Sequence, residues 1–463
     1  MKNIPNNSIK IITDNDLCIS CGACSHICPY HNIQIRLNAH HGKWEPVIPK
    51  IDICENRCNG KELCLSVCPS YDVNYIDLAE SDKNQLLGKI ERVYTGFSKN
   101  DAIRFSSSSG GFIPELCTML FDSGQIDGII SMTHDLGLEY TPKIIHDVNS
   151  MPCSIYHNIN FENAIALLKK ATGKYLLIAL PCQITSIELF TNKKKHRHLK
   201  EKIYAKVALI CGYSYDRTNV QATAYYNDFE VKEIAYRGNG RDLLINLKNE
   251  QKKLEYDTFY PQTLNEVINN RIMFDNFIPQ LGCLYCVDHI GYCADMVVGD
   301  AWLPKYTDDK IGVNIIISRT QQAEKLIHQI KSFHFIEASH EDIIEAQGVH
   351  YALGAVGEGL KELKSKEHSF IPDKLRTKNS DDLIKYHFRL KDIIKMKVIK
   401  RLIQKNHFML AKFIYVILEA KYILKYLFKR YPADGFLPPF DLLPLTKSEK
   451  DNDEESNKST LNK

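Results

Sequence analysis

The sequence predicts two folded parts of different class: a small cysteine-rich α+β domain and, after it, a larger α/β domain. Two observations predict this division. Eight of the 15 cysteines lie within residues 18–68, where the apolar runs are short. From about residue 89, strand-like and helix-like segments alternate, which is the pattern of a sheet covered by helices. A basic helical extension and a polar tail follow.

The composition is that of a globular protein of several domains. The chain has 463 residues, of which 44% are hydrophobic and 25% are charged. The formal net charge is only +3, so a general nucleic-acid-binding role is not expected. The apolar content also excludes a wholly disordered chain.

Cysteine usage indicates metal binding in a reducing compartment. The first 16 residues have no apolar stretch typical of a signal peptide, and no run of 18 apolar residues predicts a membrane-spanning helix. We therefore expect a cytoplasmic protein, in which thiols stay reduced. Fifteen cysteines are then better interpreted as metal ligands than as disulfides.

The first cysteine run has the spacing C-x2-C-x2-C-x3-C-P over residues 18–29. Three cysteines so spaced suit the corners of a 4Fe–4S cubane, and the fourth reaches toward a neighbouring cluster. The alternative is a zinc ribbon, which uses C-x2-C pairs but rarely this run of four. The run therefore favours iron–sulfur chemistry.

The second run, over residues 54–69, keeps the closing C-x3-C-P but has wider spacing before it. Together the two runs resemble those of bacterial two-cluster ferredoxins. The resemblance implies a bacterial-ferredoxin-like fold over residues 1–85. It also implies one 4Fe–4S cluster on Cys18, Cys21, Cys24 and Cys68, and a second on Cys28, Cys54, Cys58 and Cys64.

Elements of the larger domain follow in order from the hydrophobic pattern. Strands are predicted at residues 92–97, 126–131, 175–180, 203–210, 296–299 and 313–317, and helices at 112–121, 164–170 and 321–332. Cys182 and Cys211 directly follow two of these strands, at the sheet edge where α/β proteins bind ligands. Alone they would be interpreted as buried thiols, but the later Cys283-x2-Cys286 pair favours a four-thiolate site.

From about residue 92 to residue 347, the sequence resembles the beta subunits of coenzyme F-420 (deazaflavin) hydrogenases and dehydrogenases. The resemblance rests on motifs in the family's order: Arg104 to Gly111 (RFSSSSGG), Ser154-Ile-Tyr156, Pro181-Cys182-Gln183, Cys211, Cys283-x2-Cys286 and Ala294-Asp295-x3-Gly299-Asp300. It implies a FAD-binding α/β domain over residues 89–350. It also implies a third 4Fe–4S cluster on Cys182, Cys211, Cys283 and Cys286.

The same resemblance implies residues for the flavin. The Ser/Gly loop precedes a helix, where backbone N–H groups suit a pyrophosphate, although such a loop alone is more often a linker. Tyr156 either packs on the flavin or fills the core, and Asp300 either binds the flavin or caps a turn. The residues assigned to FAD are Arg104, Ser108, Ser109, Gly110, Gly111, Tyr156, Gln183, Gly299 and Asp300.

These resemblances imply an iron–sulfur flavoprotein oxidoreductase. A flavin couples hydride transfer to one-electron transfer, so electrons would pass between a ferredoxin-type or deazaflavin-type donor and a small-molecule or glycan-precursor substrate. The expected protein partner is a redox donor or acceptor. Bacterial relatives with this arrangement suggest surface-polysaccharide synthesis. The alternative is a non-catalytic electron-transfer adaptor for a partner enzyme.

The predicted extension, residues 351–445, is basic in its central part. Residues 385–430 contain 13 Lys and Arg against two acidic residues, with apolar residues at helical spacing between them. The pattern suits a helix lying on the inner face of an anionic membrane. The other interpretation is a helix that packs on the protein and leaves its lysines in water. Residues 446–463 are expected to be disordered.

Overall fold

The computed structural model describes residues 8–38, 42–58, 61–71, 73, 75–79, 87–217, 220, 233–237, 246–248, 253–254, 280–284, 286, 288–306 and 308–347, with nine positions between 398 and 417. The predicted tail, 446–463, and most of the predicted basic extension lie outside the described residues. Among the helices described, none is long and apolar enough to cross a membrane.

The cysteine-rich part is built from short helices around one hairpin. Its elements are α1 (Lys10–Asp14), α2 (Ala23–Ile27), β1 (Gln34–Asn38), β2 (Lys43–Val47), α3 (Ile51–Ile53) and α4 (Tyr75–Leu78). Strands β1 and β2 pair antiparallel, with Gln34 opposite Val47. A π-helical turn over Cys54–Cys58 and a 3-10 turn over Leu65–Val67 carry the second cysteine run.

The larger part is organised on an eight-stranded mixed sheet. Its strands are β3 (Arg92–Ser98), β4 (Gly128–His134), β5 (Tyr140–Ile145), β6 (Tyr175–Ala179), β7 (Ile203–Leu209), β11 (Met296–Asp300), β12 (Asn314–Ser318) and β13 (Phe333–Ala338). Their order across the sheet is β13-β3-β12-β11-β7-β6-β4-β5. A separate three-stranded sheet contains β8 (Glu233–Ala235), β9 (Asn246–Lys248) and β10 (Lys253–Leu254).

The four central strands, β4, β6, β7 and β11, are parallel. At one edge β5 pairs antiparallel with β4, and at the other β12, β3 and β13 continue the sheet in antiparallel order. Consecutive strand residues enter opposite faces, which is the period-two alternation of a strand. Leu176 and Val298 face one core, whereas Leu177 and Val297 face the other. A sheet buried on both faces explains the continuous apolar runs of the sequence.

Helices cover both faces of the sheet. One face carries α6 (Phe112–Asp122) and the helix over Gln321–Gln329, and the other carries α7 (Asn163–Lys170) and α8 (Pro181–Thr191). The remaining helices are α5 (Asp101–Ser106), α9 (Leu281–Leu284), α10 (Gln321–Gln329) and α11 (His340–Gln347). The α/β class predicted for this part is therefore confirmed.

One predicted helix is shorter than expected. The pattern over residues 321–332 predicts a single helix, but α10 ends at Gln329. The backbone leaves the helical region at Ile330, and Phe333 then pairs with Ser98 in the edge strand β13. The apolar residues of this short strand continue the helical pattern, which makes the boundary invisible to periodicity.

The cysteine-rich part packs against the α7–α8 face of the larger part. Gly22, with φ of +74°, lies so close to Glu162 that a Cβ would stand 2.4 Å from its side chain. Asn158 donates to the Ser20 hydroxyl at 2.7 Å and accepts from the Trp44 amide at 2.8 Å. These contacts fix one cysteine loop against the sheet domain.

Candidate metal centres and flavin site

The first predicted cysteine set, Cys18, Cys21, Cys24 and Cys68, lies together at this contact. We call it the first cage. Cys18, Cys24 and Cys68 belong to one buried cluster. Burial, and then the neighbouring Cys21, Cys18 and Cys68, raise the pKa of Cys24 well above its usual value. The left-handed Gly22 turns the chain so that two cysteines before it and Cys24 after it converge.

The second cage, Cys28, Cys54, Cys58 and Cys64, lines one cavity together with Ile33 and Ile48. The π-helical turn places Cys54 and Cys58 on this cavity, which explains their unusual spacing. Asn32 supports the cage, because its amide nitrogen lies 3.4 Å from the Cys28 sulfur and its Nδ2 lies 3.6 Å from the Cys54 sulfur.

The third cage, Cys182, Cys211, Cys283 and Cys286, lines a second cavity. Cys182 lies in the first turn of α8 directly after β6, Cys211 follows β7, and Cys283 lies in α9. Burial raises the pKa of Cys182 well above its usual value, and the other three cysteines raise it further. The structure thus brings together four thiols from three distant segments.

The chemistry of the three cages fits a thiolate-bound cluster. None of the fifteen cysteines forms a disulfide. Burial raises the pKa of Cys18 to about 12 and that of Cys64 to about 11, so these thiols need a bound cation to become thiolates. In the part of the chain that the structure describes, no three His, Cys, Asp or Glu side chains converge on a single metal ion. The cysteines of the second and third cages surround cavities instead.

The first and third cages share a wall. The third cavity is lined by Ile19, Pro69 and Ser70 from the cysteine-rich part. Cys182 of the third cage lies close enough to Cys21 of the first for their charges to interact. The second cage adjoins the first cage, because Cys64 lies close enough to Cys24 for their charges to interact. None of the second-cage cysteines lines the third cavity. The cages therefore form a series: second, first, third.

The predicted pyrophosphate loop is folded inward. Ser109 donates to the Val313 carbonyl at 2.9 Å, and the Phe112 amide donates to the Asn314 side chain at 3.0 Å. A Cβ on Gly110 would stand 2.5 Å from the Gly96 carbonyl, so this glycine serves a close approach of backbones. Gly111 has φ of +86° and precedes α6. The role of this loop toward a pyrophosphate stays a prediction.

Arg104 is also engaged within the protein. Its guanidinium pairs with Asp309 at 2.5 Å and donates to the Gly312 carbonyl at 2.9 Å. It lies 3.8 Å from the centroid of the Phe97 ring. In this arrangement Arg104 anchors the 309–312 turn beside the Ser/Gly loop, and it has no contact that marks it as a phosphate ligand.

Three of the residues assigned to the flavin meet around an arginine that no sequence motif predicts. Arg237 pairs with both oxygens of Asp300, at 2.8 and 3.2 Å, and only 4% of its side chain is exposed. Tyr156 packs edge-on against Tyr236, with ring centroids 5.1 Å apart, and it interacts electrostatically with Arg237. Ser108 is linked to this group through Cys153. Its hydroxyl donates to the Cys153 carbonyl, and the charge of Arg237 acts on the Cys153 thiol by opposing the rise in its pKa that burial causes.

The Arg237 group has an unused donor. Arg237 Nε is buried and has no hydrogen-bond partner among the described residues. A buried donor without a partner is costly, so it is a reason to expect a ligand there. Nothing in the sequence marks Arg237, because it lies 63 residues from Asp300.

The two remaining assigned residues have structural roles. Gln183 is buried, and its side-chain oxygen accepts from the Leu180 amide at 2.9 Å, which caps the start of α8 beside Cys182. Gly299 lies on β11, where a Cβ would stand 2.7 Å from the Ile210 side chain. Both hold the strand ends that carry the third cage.

His157, next to Tyr156, predicts a pH dependence of stability. Its Nε2 lies 2.9 Å from the Leu138 carbonyl and its Nδ1 lies 2.6 Å from the Tyr236 hydroxyl, so the neutral ring satisfies both. Burial lowers the pKa of His157 to about 3. The unfolded chain binds this proton near pH ~6.5, so stability falls as the pH falls from about 6.5 toward about 3.

The loss should approach about 1.4 kcal/mol per pH unit within that window. Thermal unfolding of the anaerobic protein at several pH values between neutral and mildly acidic measures it. His157→Gln cannot titrate, so its unfolding temperature should depend less steeply on pH than that of the wild type. Parallel profiles for the two proteins would contradict the assignment.

The fold and the three cages define an iron–sulfur electron-transfer protein, and comparison with known families gives the particular one. Residues 93–151 match the N-terminal model of the coenzyme F420 hydrogenase/dehydrogenase beta subunit, and residues 172–343 match the C-terminal model. Residues 17–71 match a 4Fe–4S dicluster domain. The chain belongs to the coenzyme F420 hydrogenase/dehydrogenase beta subunit family, and its N-terminal part is ferredoxin-like.

Individual proteins illustrate the similarity. The chain is 22% identical to one subunit of the F(420)H(2) dehydrogenase of Methanosarcina mazei over 333 residues, which cover 70% of this chain and 85% of the relative. A ferredoxin of Pyrobaculum islandicum is 32% identical over 60 residues, or 13% of this chain and 47% of the ferredoxin. A chain of the F420-reducing [NiFe] hydrogenase complex from Methanosarcina barkeri aligns with a TM-score of 0.45 and 16% identity, over 61% of this chain and 94% of that one.

Proposed function

We propose that this protein is an iron–sulfur flavoprotein oxidoreductase subunit with three 4Fe–4S clusters in series. The observation that carries the proposal is the third cage, whose four cysteines line one cavity with residues of the dicluster domain. A cluster at that position would be in electronic contact with the first cage and with the larger domain. Electrons would enter or leave through the second cage, whose cysteines do not line the third cavity.

The residues proposed to hold the clusters are the cysteines of the three cages. Iron–sulfur clusters supply one-electron transfer, and their potentials depend on nearby charge, hydrogen bonds and solvent exposure. The chain's own contribution is to hold the ligands and exclude water. Asn32 donates toward two sulfurs of the second cage, and burial keeps the first cage dry.

We further propose that FAD binds beside the third cage, against the group formed by Ser108, Tyr156, Arg237 and Asp300. The unused Nε of Arg237 supports this position. When bound, the flavin supplies the conversion between two-electron and one-electron chemistry. Arg237 would orient it, and Tyr156 would exclude water from one side. The donor is proposed to be a ferredoxin-type or deazaflavin-type partner, as the relatives' names suggest.

A second candidate function is an electron-transfer adaptor without flavin. The closed Ser/Gly loop favours it, because Ser109 and Phe112 are hydrogen-bonded internally where a pyrophosphate was expected. The substrate, including a glycan precursor in surface-polysaccharide synthesis, stays a prediction, as do the domain limits 1–85 and 89–350 and the cytoplasmic location.

Peripheral membrane contact is a separate proposal about the C-terminal segment. Met409, Phe413 and Ile417 lie four residues apart, and each is more than half exposed. Exposed apolar residues at this spacing suit a helix that lies on a lipid surface. The full chain should therefore float with anionic vesicles in a density gradient, and failure to float would overturn the contact.

Anaerobic purification with iron, sulfide, zinc and released flavin measured on one sample tests the proposed function. We expect about twelve irons, by four per cluster, and one FAD per chain. About eight irons without flavin would leave a two-cluster protein and overturn the proposal for the third cage. About twelve irons without flavin would support the second candidate function, an electron-transfer adaptor without flavin. Zinc without sulfide would overturn the redox function.

A further inference from the structure

Lys43 is a fully buried lysine beside the first cage. It begins strand β2, and none of its side chain is exposed. Its ammonium group forms an ion pair with the Asp16 carboxylate and donates to the carbonyls of Asp16, at 3.1 Å, and of Cys18, at 3.4 Å. Lysine is almost never buried completely unless it is paired, because burial of a charge is costly.

The position of Lys43 relates it to two cages at once. Cys18 belongs to the first cage. The carbonyl of the preceding residue, Leu17, packs so closely on Gly282 that a Cβ at Gly282 would stand only 2.3 Å from its oxygen. Gly282 directly precedes Cys283 of the third cage, and Cys18 and Cys283 are members of the same buried cluster. The positive charge of Lys43 lowers the pKa of both thiols, against the larger opposing effect of burial.

The neighbouring acids oppose this charge only in part. At Cys283 the buried Asp216 acts in the opposite direction to Lys43, but more weakly. The Asp16 side chain is 30% exposed as a whole, but its Oδ1 oxygen, which pairs with Lys43, is buried, so Asp16 offsets part of the lysine charge. Glu45, two residues along the same strand, is buried and accepts a hydrogen bond from Asn38 at 2.6 Å. Glu45 acts on Cys18 in the opposite direction, but more weakly than Lys43.

We propose that Lys43 tunes the reduction potentials of the first and third clusters together. This inference rests on the proposed function, since it requires clusters in both cages. Each one-electron reduction adds one negative charge inside a cage, and no bond is formed or broken. A fixed positive charge in a low-dielectric site stabilises the reduced form, so it raises the potential. Because Lys43 lies at the contact of the two cages, it raises the potentials of both clusters.

The test is a redox titration of the anaerobic full-length protein, followed by electron paramagnetic resonance. In Lys43→Met, the equilibrium constant for reduction should fall about tenfold at the first and third clusters, or ~59 mV for a one-electron couple. The second cluster should keep its potential and serve as an internal reference. Lys43→Arg keeps the charge and should titrate like the wild type.

Two further variants keep the test decisive. Lys43→Gln keeps a donor for the carbonyls without the charge, and it replaces Lys43→Met if that variant loses iron. Glu45→Gln removes the opposing charge, so it should raise the potential of the first cluster. Unchanged potentials in the neutral variants at full iron content would overturn the inference. A wild type with only two clusters would instead overturn the proposed function, and the first cluster would then test Lys43 alone.

Discussion

Replacing Cys283 by serine is expected to remove the iron of the third cage and leave the other two cages loaded. Iron should fall from about twelve to about eight atoms per chain, because one cluster holds four. The physical reason is that Cys283 lines the third cavity with Cys182, Cys211 and Cys286, whereas the ligands of the other cages come from the dicluster domain. Serine oxygen is a harder ligand than a thiolate and binds iron–sulfur clusters less well.

The measurement is iron and sulfide per chain, together with the electron paramagnetic resonance spectrum of the reduced protein. Cys293→Ala is a matched control, because Cys293 is a buried thiol of the same region that we do not assign to the cage. It should retain about twelve irons. Equal loss of iron from all three sites in Cys283→Ser would show that the cages do not load independently. Full retention would remove Cys283 from the ligand set.

The cysteine cages could be predicted from the sequence because the spacing of cysteines along the chain limits how far apart they can lie in the structure. Residues two or three apart in a loop must lie close together, so Cys18, Cys21 and Cys24 reveal a site without knowledge of the fold. Prediction of the third cage also required a rule about the fold, namely that the carboxyl ends of parallel strands meet at one edge of the sheet. Cys182 and Cys211 follow β6 and β7, which are neighbours in the sheet.

The polar residues around the cages could not be predicted in this way. Lys43 and Arg237 act on partners from other segments, and their surroundings depend on tertiary packing. The glycines show a related limit. The glycine at position 110 indicates that a Cβ is not tolerated there. The sequence does not show that the position of that Cβ is occupied by the Gly96 carbonyl and by Asn314, which belong to two different strands. A sequence can show that a close approach exists, and only the fold shows what approaches.

Arg237→Met is expected to release the flavin without loss of iron. The variant removes the buried guanidinium whose Nε has no partner among the described residues, and with it the donor proposed to orient the flavin. It also leaves Asp300 without the cation that now pairs with both of its oxygens. Breaking such a pair costs about 3–5 kcal/mol of unfolding free energy, so stability must be measured beside flavin content.

A second substitution, Asp300→Leu, separates the loss of the flavin from the loss of stability. In Arg237→Met/Asp300→Leu neither charge remains, so much of the lost stability should return, as it does when a buried ion pair is replaced by apolar residues. Flavin should stay absent, because the donor is still missing. Recovery of flavin together with stability would mean that Arg237 acts only on the fold. A folded Arg237→Met protein with one FAD per chain would place the flavin elsewhere, and the Ser/Gly loop before α6 would then have to open to receive it.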